Sequence, residues 1–347
     1  MKAITVEARK PETARLEDIP EPDAHAGSIL VEAIAVGVCG TDVEIVDGKY
    51  GWAPQGKTRL VLGHESLGRV IDPGPSGALR TGDLVVGIVR RPDPVPCPSC
   101  AVGEWDMCRN GRYTERGIVG RHGYGAERFR VEPGFCVKIA PRLAGAGMLL
   151  EPASVVAKAW EHIERIGERA RFCPQRVLVT GAGPIGLLAA LLGVQRGLEV
   201  HVLDLATSGP KVDRVRELGA SYHTALVEAC MDADIVIECT GSGQLVIDVM
   251  QTSSPNGIVC LTGISSGHRE IRVDAGALSR NLVLENAVVL GSVNANLRHY
   301  AAAARALEVA EPRWLEALVT RRVRLDDWPR AVERDAKDIK TVIDFAS

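Results

Sequence analysis

About the first 150 residues carry short stretches in which hydrophobic and polar residues alternate, separated by segments rich in Gly and Pro. Such stretches occupy residues 28–36, 68–71 and 84–89. Alternation with a period of two predicts β-strands, and the turn residues between them predict loops. We therefore expect this part of the chain to form a mostly β domain with long connecting loops.

From about residue 176 the pattern changes to apolar strands that alternate with helical stretches. The segment RVLVT is followed by a Gly-rich turn, by an apolar helix that runs through Gln195, and by the segment EVHVLD. Further strands are predicted at residues 233–238, 257–261 and 288–291. This alternation predicts a parallel sheet with helices on both faces. A helix at residues 297–309 and a final strand follow, and periodicity leaves open which domain they join.

Size and composition are those of a globular protein of two domains. The chain has 347 residues, 46% of them hydrophobic, and a net charge of −3, so nothing indicates nucleic acid or an anionic membrane as a partner. The longest nearly apolar run, residues 182–194, is too short to span a bilayer. The N-terminus does not resemble a secretory signal, and nine cysteines are then better explained as reduced thiols or metal ligands. We expect a cytoplasmic protein.

A glycine-rich turn connects the strand RVLVT to the apolar helix. It reads GAGPIG from Gly181 to Gly186, and Asp204 ends the next strand about twenty residues later. This arrangement is typical of a dinucleotide site, because Gly183 lets the backbone approach the pyrophosphate and the helix N-terminus presents N–H groups to it. Asp204 would bind the ribose hydroxyls and repel a 2′-phosphate, which favours NAD. NADP stays open because of three nearby polar residues, Thr207, Ser208 and Lys211.

Two motifs in the first domain carry metal-ligand chemistry. They are CGTD, which starts at Cys39, and GHE, which contains His64 and Glu65. Zinc prefers thiolate and imidazole ligands, and a catalytic zinc site supplies about three protein ligands and leaves one position open. Cys39 and His64 fit as ligands, and a third ligand could come from Glu65 or from Glu151.

These motifs and their order resemble one family. CGTD, the pattern GHExxGxV at residues 63–70, the turn GDLV at residues 82–85 and the late GAGPIG together resemble the zinc-dependent medium-chain dehydrogenase/reductase family over essentially the whole chain. The resemblance implies an α/β protein with a GroES-like, mostly β catalytic domain over residues 1–155, completed by the tail 296–347. It also implies a Rossmann domain, a doubly wound parallel sheet that binds NAD(P), over residues 156–295.

Within this family, several segments resemble the glucose 1-dehydrogenase branch: EPAS from Glu151, ERGI from Glu115, HGY from His122, VDAGA at residues 273–277 and GSVN at residues 291–294. The implied zinc ligands are Cys39, His64, Glu65 and Glu151. The implied substrate contacts are Thr41, Glu115, Glu151 and Asn294. The predicted cofactor contacts are Gly181, Gly183, Pro184, Ile185, Gly186, Asp204, Leu205, Thr240, Gly263, Ser292, Val293 and Asn294.

The implied activity is oxidation of the C1 hydroxyl of an aldose, with D-glucose favoured, to the lactone, with hydride transfer to NAD or NADP. Zinc would act as a Lewis acid, and Thr41 would pass the hydroxyl proton outward. A zinc-dependent dehydrogenase of open-chain polyols such as sorbitol, or of threonine, is the alternative. A non-catalytic nucleotide sensor or a zinc-free quinone reductase is disfavoured, because neither needs these metal ligands.

A second group of cysteines resembles part of a structural zinc lobe. Cys97, Cys100 and Cys108 have the spacing of such a lobe, but Pro94 stands where the spacing places its first cysteine. Structural zinc usually has four protein ligands, and Asp93 could supply an oxygen in place of the missing thiolate. Bound zinc and three reduced thiols both remain as hypotheses for this lobe.

Two further expectations concern association and packing. The apolar segment 281–293 could pair strands across a two-fold axis, which predicts a homodimer or homotetramer. Three tryptophans could line a sugar pocket, but we expect them to be packing residues. They are Trp52, Trp105 and Trp160.

Overall fold

The computed structural model describes residues 1–229, 232–252, 254–264, 270–333 and 335–345. These residues form two compact units, one made of Met1–Ser154 and Ala295–Ser347 and the other of Val155–Asn294. Among the described residues, no helix has both the length and the apolar character needed to cross a membrane.

The strands follow one another in chain order as β1 (Lys2–Val6), β2 (Arg15–Asp18), β3 (Ile29–Val38), β4 (Leu60–Val61), β5 (Glu65–Asp72), β6 (Leu84–Gly87), β7 (Arg90–Arg91), β8 (Thr114–Arg116), β9 (Gly120–Arg121), β10 (Arg128–Val131), β11 (Cys136–Lys138), β12 (Arg176–Thr180), β13 (Glu199–Leu203), β14 (Ser221–His223), β15 (Ile235–Glu238), β16 (Ile258–Leu261), β17 (Val288–Gly291), β18 (Val319–Arg324) and β19 (Lys340–Asp344).

The α-helices are α1 (Gly40–Val46), α2 (Pro98–Ala101), α3 (Leu150–Gly167), α4 (Pro184–Gln195), α5 (Pro210–Glu217), α6 (Leu226–Ala229), α7 (Gly243–Met250), α8 (Ala275–Leu284), α9 (Leu297–Val309), α10 (Pro312–Ala317) and α11 (Pro329–Val332).

The first unit is built on a seven-stranded sheet in the order β11-β6-β5-β3-β19-β18, with β10 also paired to β3. Its strands alternate buried and less buried residues, as in β3, where Ile29, Val31 and Ala33 face a core that also contains Tyr124 and Phe129. The strands predicted at residues 28–36, 68–71 and 84–89 are confirmed as β3, β5 and β6. The C-terminal strand β19 lies antiparallel to β3, with Thr341 opposite Val38.

The second unit contains a six-stranded parallel sheet in the order β14-β13-β12-β15-β16-β17. The central strand β12 is a continuous apolar run in which Val177, Leu178 and Val179 are fully buried, because both faces of the sheet are covered. The chain starts at the centre, extends to one edge and then returns to build the other edge. This strand order is that of a doubly wound dinucleotide-binding sheet, so the predicted architecture is confirmed.

Candidate metal and dinucleotide sites

The two predicted metal motifs meet because β3 and β5 are neighbouring antiparallel strands. Cys39 follows the end of β3, His64 precedes β5, and Gly37 stands opposite Glu65 in the register of the two strands. The Cys39 sulfur, a ring nitrogen of His64 and a carboxylate oxygen of Glu65 all lie within 4.8 Å of one another. Sheet pairing therefore brings three potential ligands from two distant motifs to one point.

The CGTD motif forms the start of α1. Cys39 is the N-cap residue in an extended conformation, and its backbone N–H donates to the Asp42 carboxylate over 2.9 Å. The Thr41 hydroxyl oxygen lies 3.9 Å from the Cys39 sulfur. The helix start thus fixes the thiol and the hydroxyl side by side.

The other carboxylate oxygen of Asp42 faces His64, with 3.4 Å between Asp42 Oδ1 and His64 Nδ1. Burial disfavours both charges, but their mutual attraction outweighs it, so the pKa of His64 is raised and the pKa of Asp42 is lowered. A carboxylate at Nδ1 leaves Nε2 of the ring as the nitrogen for a metal ion. The sequence motif did not reveal this role of Asp42, although Asp42 belongs to it.

Glu65 is not isolated, because it forms a buried ion pair with Lys340 of β19. The Lys340 ammonium also donates to the Val38 carbonyl oxygen over 3.0 Å. Lys340 holds its proton, since the attraction of Glu65 outweighs burial and raises its pKa. Sequence reasoning missed Lys340, which lies 275 residues from Glu65 along the chain.

Glu151 lies in the first turn of α3 and is buried. Burial raises its pKa to about 7, with the negative charges of Glu65 and Asp42 adding to the effect and the positive charges of His64 and Lys340 opposing it. Glu151 therefore belongs to the same electrostatic cluster. Among the described residues, however, the tight group of ligand atoms contains Cys39, His64 and Glu65 but not Glu151.

The donor chemistry of this cluster fits zinc. A thiolate, an imidazole and a carboxylate are the ligand types that zinc binds in proteins, and an acidic neighbour such as Glu151 offers a further oxygen. The imidazole already has its orienting carboxylate, as is usual for a metal-binding histidine. The residues therefore match the ion that the motifs predicted.

Glu115, a predicted substrate contact, lies on β8 and is buried. The Arg90 guanidinium donates to Glu115 Oε1 from Nε over 3.1 Å and from Nη2 over 2.9 Å. Arg90 is itself placed over the Tyr113 ring, 3.7 Å from the centroid. The position of the Glu115 carboxylate is therefore fixed by an arginine that sequence reasoning did not single out.

The glycine-rich turn has the conformation that its sequence predicts. Gly181 has a positive φ of 90°, and Gly183 is the N-cap of α4. A Cβ on Gly186 would come within 1.8 Å of the Gly181 carbonyl oxygen, whereas a Cβ on Gly183 would meet no atom within 4 Å. Gly186 is thus required by packing, and the space beside Gly183 is open for a phosphate.

Asp204 and the neighbouring strand ends complete this edge of the sheet. The Asp204 carboxylate accepts N–H bonds from Ala182 over 2.7 Å and from Ala206 over 3.0 Å. Buried Glu238 accepts the N–H of Thr240 through its side chain and the N–H of Gly263 through its carbonyl. Glu238 therefore organises two predicted cofactor residues, a role that sequence reasoning missed.

The remaining predicted cofactor residues also follow strand ends. Leu205 is highly exposed after β13, and Ser292 follows β17, where its N–H donates to the Leu261 carbonyl over 2.9 Å. The Val293 carbonyl accepts from the buried Lys158 ammonium over 2.9 Å. Asn294 has a positive φ of 61°, so the chain turns sharply at the end of this unit.

The cysteine lobe brings its three thiols together. The sulfur atoms of Cys97, Cys100 and Cys108 lie within 4.8 Å of one another. The Cys97 sulfur accepts N–H bonds from Arg109 over 3.4 Å and from Cys100 over 3.5 Å, and these bonds lower the pKa of Cys97 to about 6. Burial raises the pKa of Cys100 to about 11.

Asp93 does not complete the cysteine lobe. Its carboxylate accepts hydrogen bonds from the Val95 N–H and from the Asn110 amide, each over 2.8 Å. Among the described residues, the group of ligand atoms at this lobe consists of three thiols. The idea that Asp93 replaces the missing cysteine is therefore wrong in this structure.

The three tryptophans differ in how deeply they are buried. Trp160 is buried, as expected for a packing residue, and Trp105 is half-buried. Trp52, however, is 43% exposed, so the expectation that it packs in the core is wrong.

Comparisons with known proteins agree first on the class. The model of the alcohol dehydrogenase GroES-like domain matches residues 25–141. An alcohol dehydrogenase from Thermotoga maritima shares the fold with a TM-score of 0.83 and 22% identity, over 99% of this chain and 98% of that chain. The chain thus has the fold of a medium-chain dehydrogenase/reductase, and the predicted fold class is confirmed.

The comparisons then define the family within this class. The model of the glucose dehydrogenase C-terminus matches residues 144–345. Glucose 1-dehydrogenase from Methanocella arvoryzae is 37% identical over 359 aligned positions, with 100% of both chains covered. Haloferax mediterranei glucose dehydrogenase, in complex with NADP, Zn and gluconolactone, matches with a TM-score of 0.91 and 35% identity over 100% of both chains. The chain belongs to the glucose dehydrogenase family, as the motifs predicted.

Proposed function

We propose that this protein is a zinc-dependent glucose 1-dehydrogenase. It oxidises the C1 hydroxyl of an aldose, with D-glucose as the favoured substrate, and transfers the hydride to a nicotinamide dinucleotide. The observation that carries the proposal is the meeting of Cys39, His64 and Glu65 within 4.8 Å in a chain of the glucose dehydrogenase family.

The reaction removes a hydride from C1 and a proton from the hydroxyl, and leaves a lactone. Zinc, when bound, supplies Lewis-acid stabilisation of the sugar oxygen. Cys39 and His64 would hold the ion, with Glu65 or Glu151 as the carboxylate ligand. The Thr41 hydroxyl would take the hydroxyl proton and pass it outward, and its position 3.9 Å from the Cys39 sulfur supports this role.

Sugar recognition falls to the residues that can accept hydroxyl hydrogens. The Glu115 carboxylate, held in one orientation by Arg90, would accept from sugar hydroxyls, and Glu151 and Asn294 would add further contacts. The cofactor pyrophosphate would lie at the N-terminus of α4, beside the open space at Gly183.

A substrate screen tests this function. Purified protein is assayed by nicotinamide absorbance on D-glucose, other aldoses, sorbitol, threonine and simple alcohols, with and without a zinc chelator. We expect turnover of D-glucose that the chelator removes and added zinc restores. Cys39→Ser should abolish turnover while cofactor binding persists, and Cys173→Ser, an exposed cysteine outside the cluster, should leave turnover unchanged. Sorbitol as the better substrate, or full activity of Cys39→Ser, would contradict the proposal.

NAD is the cofactor that Asp204 favours. Two backbone N–H groups hold its carboxylate at the end of β13, where a 2′-phosphate would be repelled. Lys211 lies 3.9 Å from Asp204 and weakens this repulsion, so use of NADP is reduced rather than excluded. The ratio of kcat/KM for NAD over NADP should exceed one and should fall in Asp204→Ser. A wild-type preference for NADP would contradict this assignment.

The protein is a homodimer or homotetramer in this proposal. Strand β17 is an edge of the parallel sheet, and α8 exposes Val283 and Leu284, with no residue of the helix buried. Among the described residues no further strand pairs with β17, and a sheet edge of this kind in a unit that also exposes apolar side chains favours pairing with a second copy. Light scattering should give at least a dimer, and Val283→Asp combined with Leu284→Asp should dissociate it. A monomeric wild type would contradict the proposal.

A further inference from the structure

An aromatic pair is exposed on the loop between α1 and β4. Tyr50 is 38% exposed and Trp52 is 43% exposed, although both are large and apolar. Their ring centroids are 5.1 Å apart and the rings meet edge to face at 79°. The Arg9 guanidinium lies 5.6 Å from the Trp52 ring and limits its freedom on one side.

The loop is held firmly by the turn that follows β8. The Trp52 N–H donates to the Ile118 carbonyl over 2.9 Å, and the Gly120 N–H donates to the Trp52 carbonyl over 2.9 Å. Gly51 has a positive φ of 94°, and a side chain there would press against Ile45 of α1. Trp52 is therefore an exposed ring on an ordered backbone, which is the arrangement that ligand stacking requires.

The same turn carries Glu115. The N–H groups of Ile118 and Val119 donate to the Glu115 carbonyl over 3.1 and 2.9 Å. Glu115 also pairs with Gly120 across β8 and β9, and Trp52 forms a β-bridge with Val119, so the two backbones are neighbours. Burial and the negative charge of Glu115 both raise the pKa of Tyr50. One turn thus links an aromatic surface to a carboxylate whose orientation Arg90 fixes.

A pyranose has two chemically different surfaces. Its ring faces carry C–H groups that pack on aromatic rings, whereas its edge carries hydroxyls that need acceptors such as carboxylates. We propose that the Trp52 ring, with Tyr50 packed edge to face against it, is the platform on which an aldopyranose ring stacks while Glu115 accepts its hydroxyl hydrogens. This inference rests on the proposed function and names the residues that select a cyclic substrate. An open-chain polyol has no flat C–H face, so the platform discriminates against it.

The test compares Trp52→Ala, Trp52→Phe and a control, Met107→Ala, which shortens another exposed apolar side chain of the same unit. For each zinc-loaded enzyme, kcat and KM are measured with D-glucose, together with the cofactor Kd and the thermal midpoint. We expect Trp52→Ala to raise KM about tenfold, equivalent to about 1.4 kcal/mol. Its kcat should stay within about threefold of wild type, because stacking is made equally in the ground and transition states.

Two further readouts separate stacking from a structural role. Trp52→Phe keeps an aromatic face and should recover part of the lost affinity. Gluconolactone should change the tryptophan fluorescence of the wild type, and this change should be smaller in Trp52→Phe. The cofactor Kd and the thermal midpoint should match the wild type in all three variants.

The possible outcomes distinguish this inference from the proposed function. A wild type that oxidises no aldose would refute the proposed function itself. A wild type that oxidises D-glucose, with an unchanged KM in Trp52→Ala, would overturn the platform and leave the function standing. An equal KM increase in Met107→Ala, or a loss of cofactor affinity in Trp52→Ala, would also overturn it.

Discussion

The buried ion pair between Lys340 and Glu65 gives the sharpest prediction about stability. Both residues are only 2% exposed, and Lys340 has a second acceptor in the Val38 carbonyl. Lys340→Met removes the cation and leaves the Glu65 carboxylate buried without its counter-charge. Breaking a buried pair in this way costs about 3–5 kcal/mol, whereas an exposed pair contributes about 0–1 kcal/mol. We therefore expect the free energy of unfolding of the first unit to fall by about 3–5 kcal/mol.

Urea unfolding of four proteins measures this effect: the wild type, Lys340→Met, Glu65→Gln and the double variant. The double variant should regain most of the stability, because a buried pair exchanged for neutral groups of similar size is nearly neutral. Lys2→Met is the matched control, since Lys2 pairs with Asp326 at 2.7 Å on the surface, with side chains 45% and 63% exposed. That control should change the free energy of unfolding by less than about 1 kcal/mol.

Two results would refute this reasoning. The first is a Lys340→Met variant that loses no more stability than Lys2→Met, which would mean that water reaches and screens the pair. The second is a double variant as unstable as the single variants together, because the loss would then come from packing and not from an uncompensated charge.

Three further predictions follow from local geometry. Gly183→Ala should fold normally and bind NAD at least about tenfold more weakly. Gly186→Ala should instead lose thermal stability, because its Cβ would meet the Gly181 carbonyl. Equal effects of the two substitutions on NAD affinity and on thermal stability would contradict this difference. Pro94→Cys should raise the zinc content by about one ion per chain and raise the thermal midpoint, because it restores the fourth thiolate; unchanged metal analysis would contradict it. Burial opposes ionisation of Glu132, but Arg91 and Arg121 hold its pKa below the usual value for a glutamate. The ionised carboxylate therefore stabilises the fold at a pH above the pKa of the unfolded chain, and this stabilisation is lost as the pH falls through the lower pKa of the folded state. Denaturation profiles should therefore show a smaller loss of stability on acidification from about pH 5 to about pH 3 in Glu132→Gln than in the wild type, and parallel profiles would contradict it.

The elements with strong periodicity were predictable from the sequence. The strand at residues 288–291 and the helix at residues 297–309 have in the structure the bounds that the pattern predicts. The apolar helix that ends at Gln195 likewise agrees with its pattern. In these segments the local pattern and the burial in the fold agree, so a single sequence carries the information.

The partners that orient the functional groups were not predictable. Lys340 meets Glu65 only because β19 pairs with β3, and Arg90 meets Glu115 only because β7 pairs with β8. Such pairings depend on sheet order, which periodicity does not encode. The exposure of Trp52 was mispredicted for a related reason, since a loop has no period that shows which side faces solvent.

The chain order of the first unit has a consequence for biosynthesis. Residues 155–294 are contiguous and can fold as soon as they leave the ribosome, but the seven-stranded sheet has a gap beside β3 until residues 340–344 arrive. We expect the N-terminal segment to stay partly assembled until then, with the open edge of β3 able to pair with other chains and aggregate. Loss of the last few residues should therefore impair folding of the chain before it affects the activity of the folded enzyme.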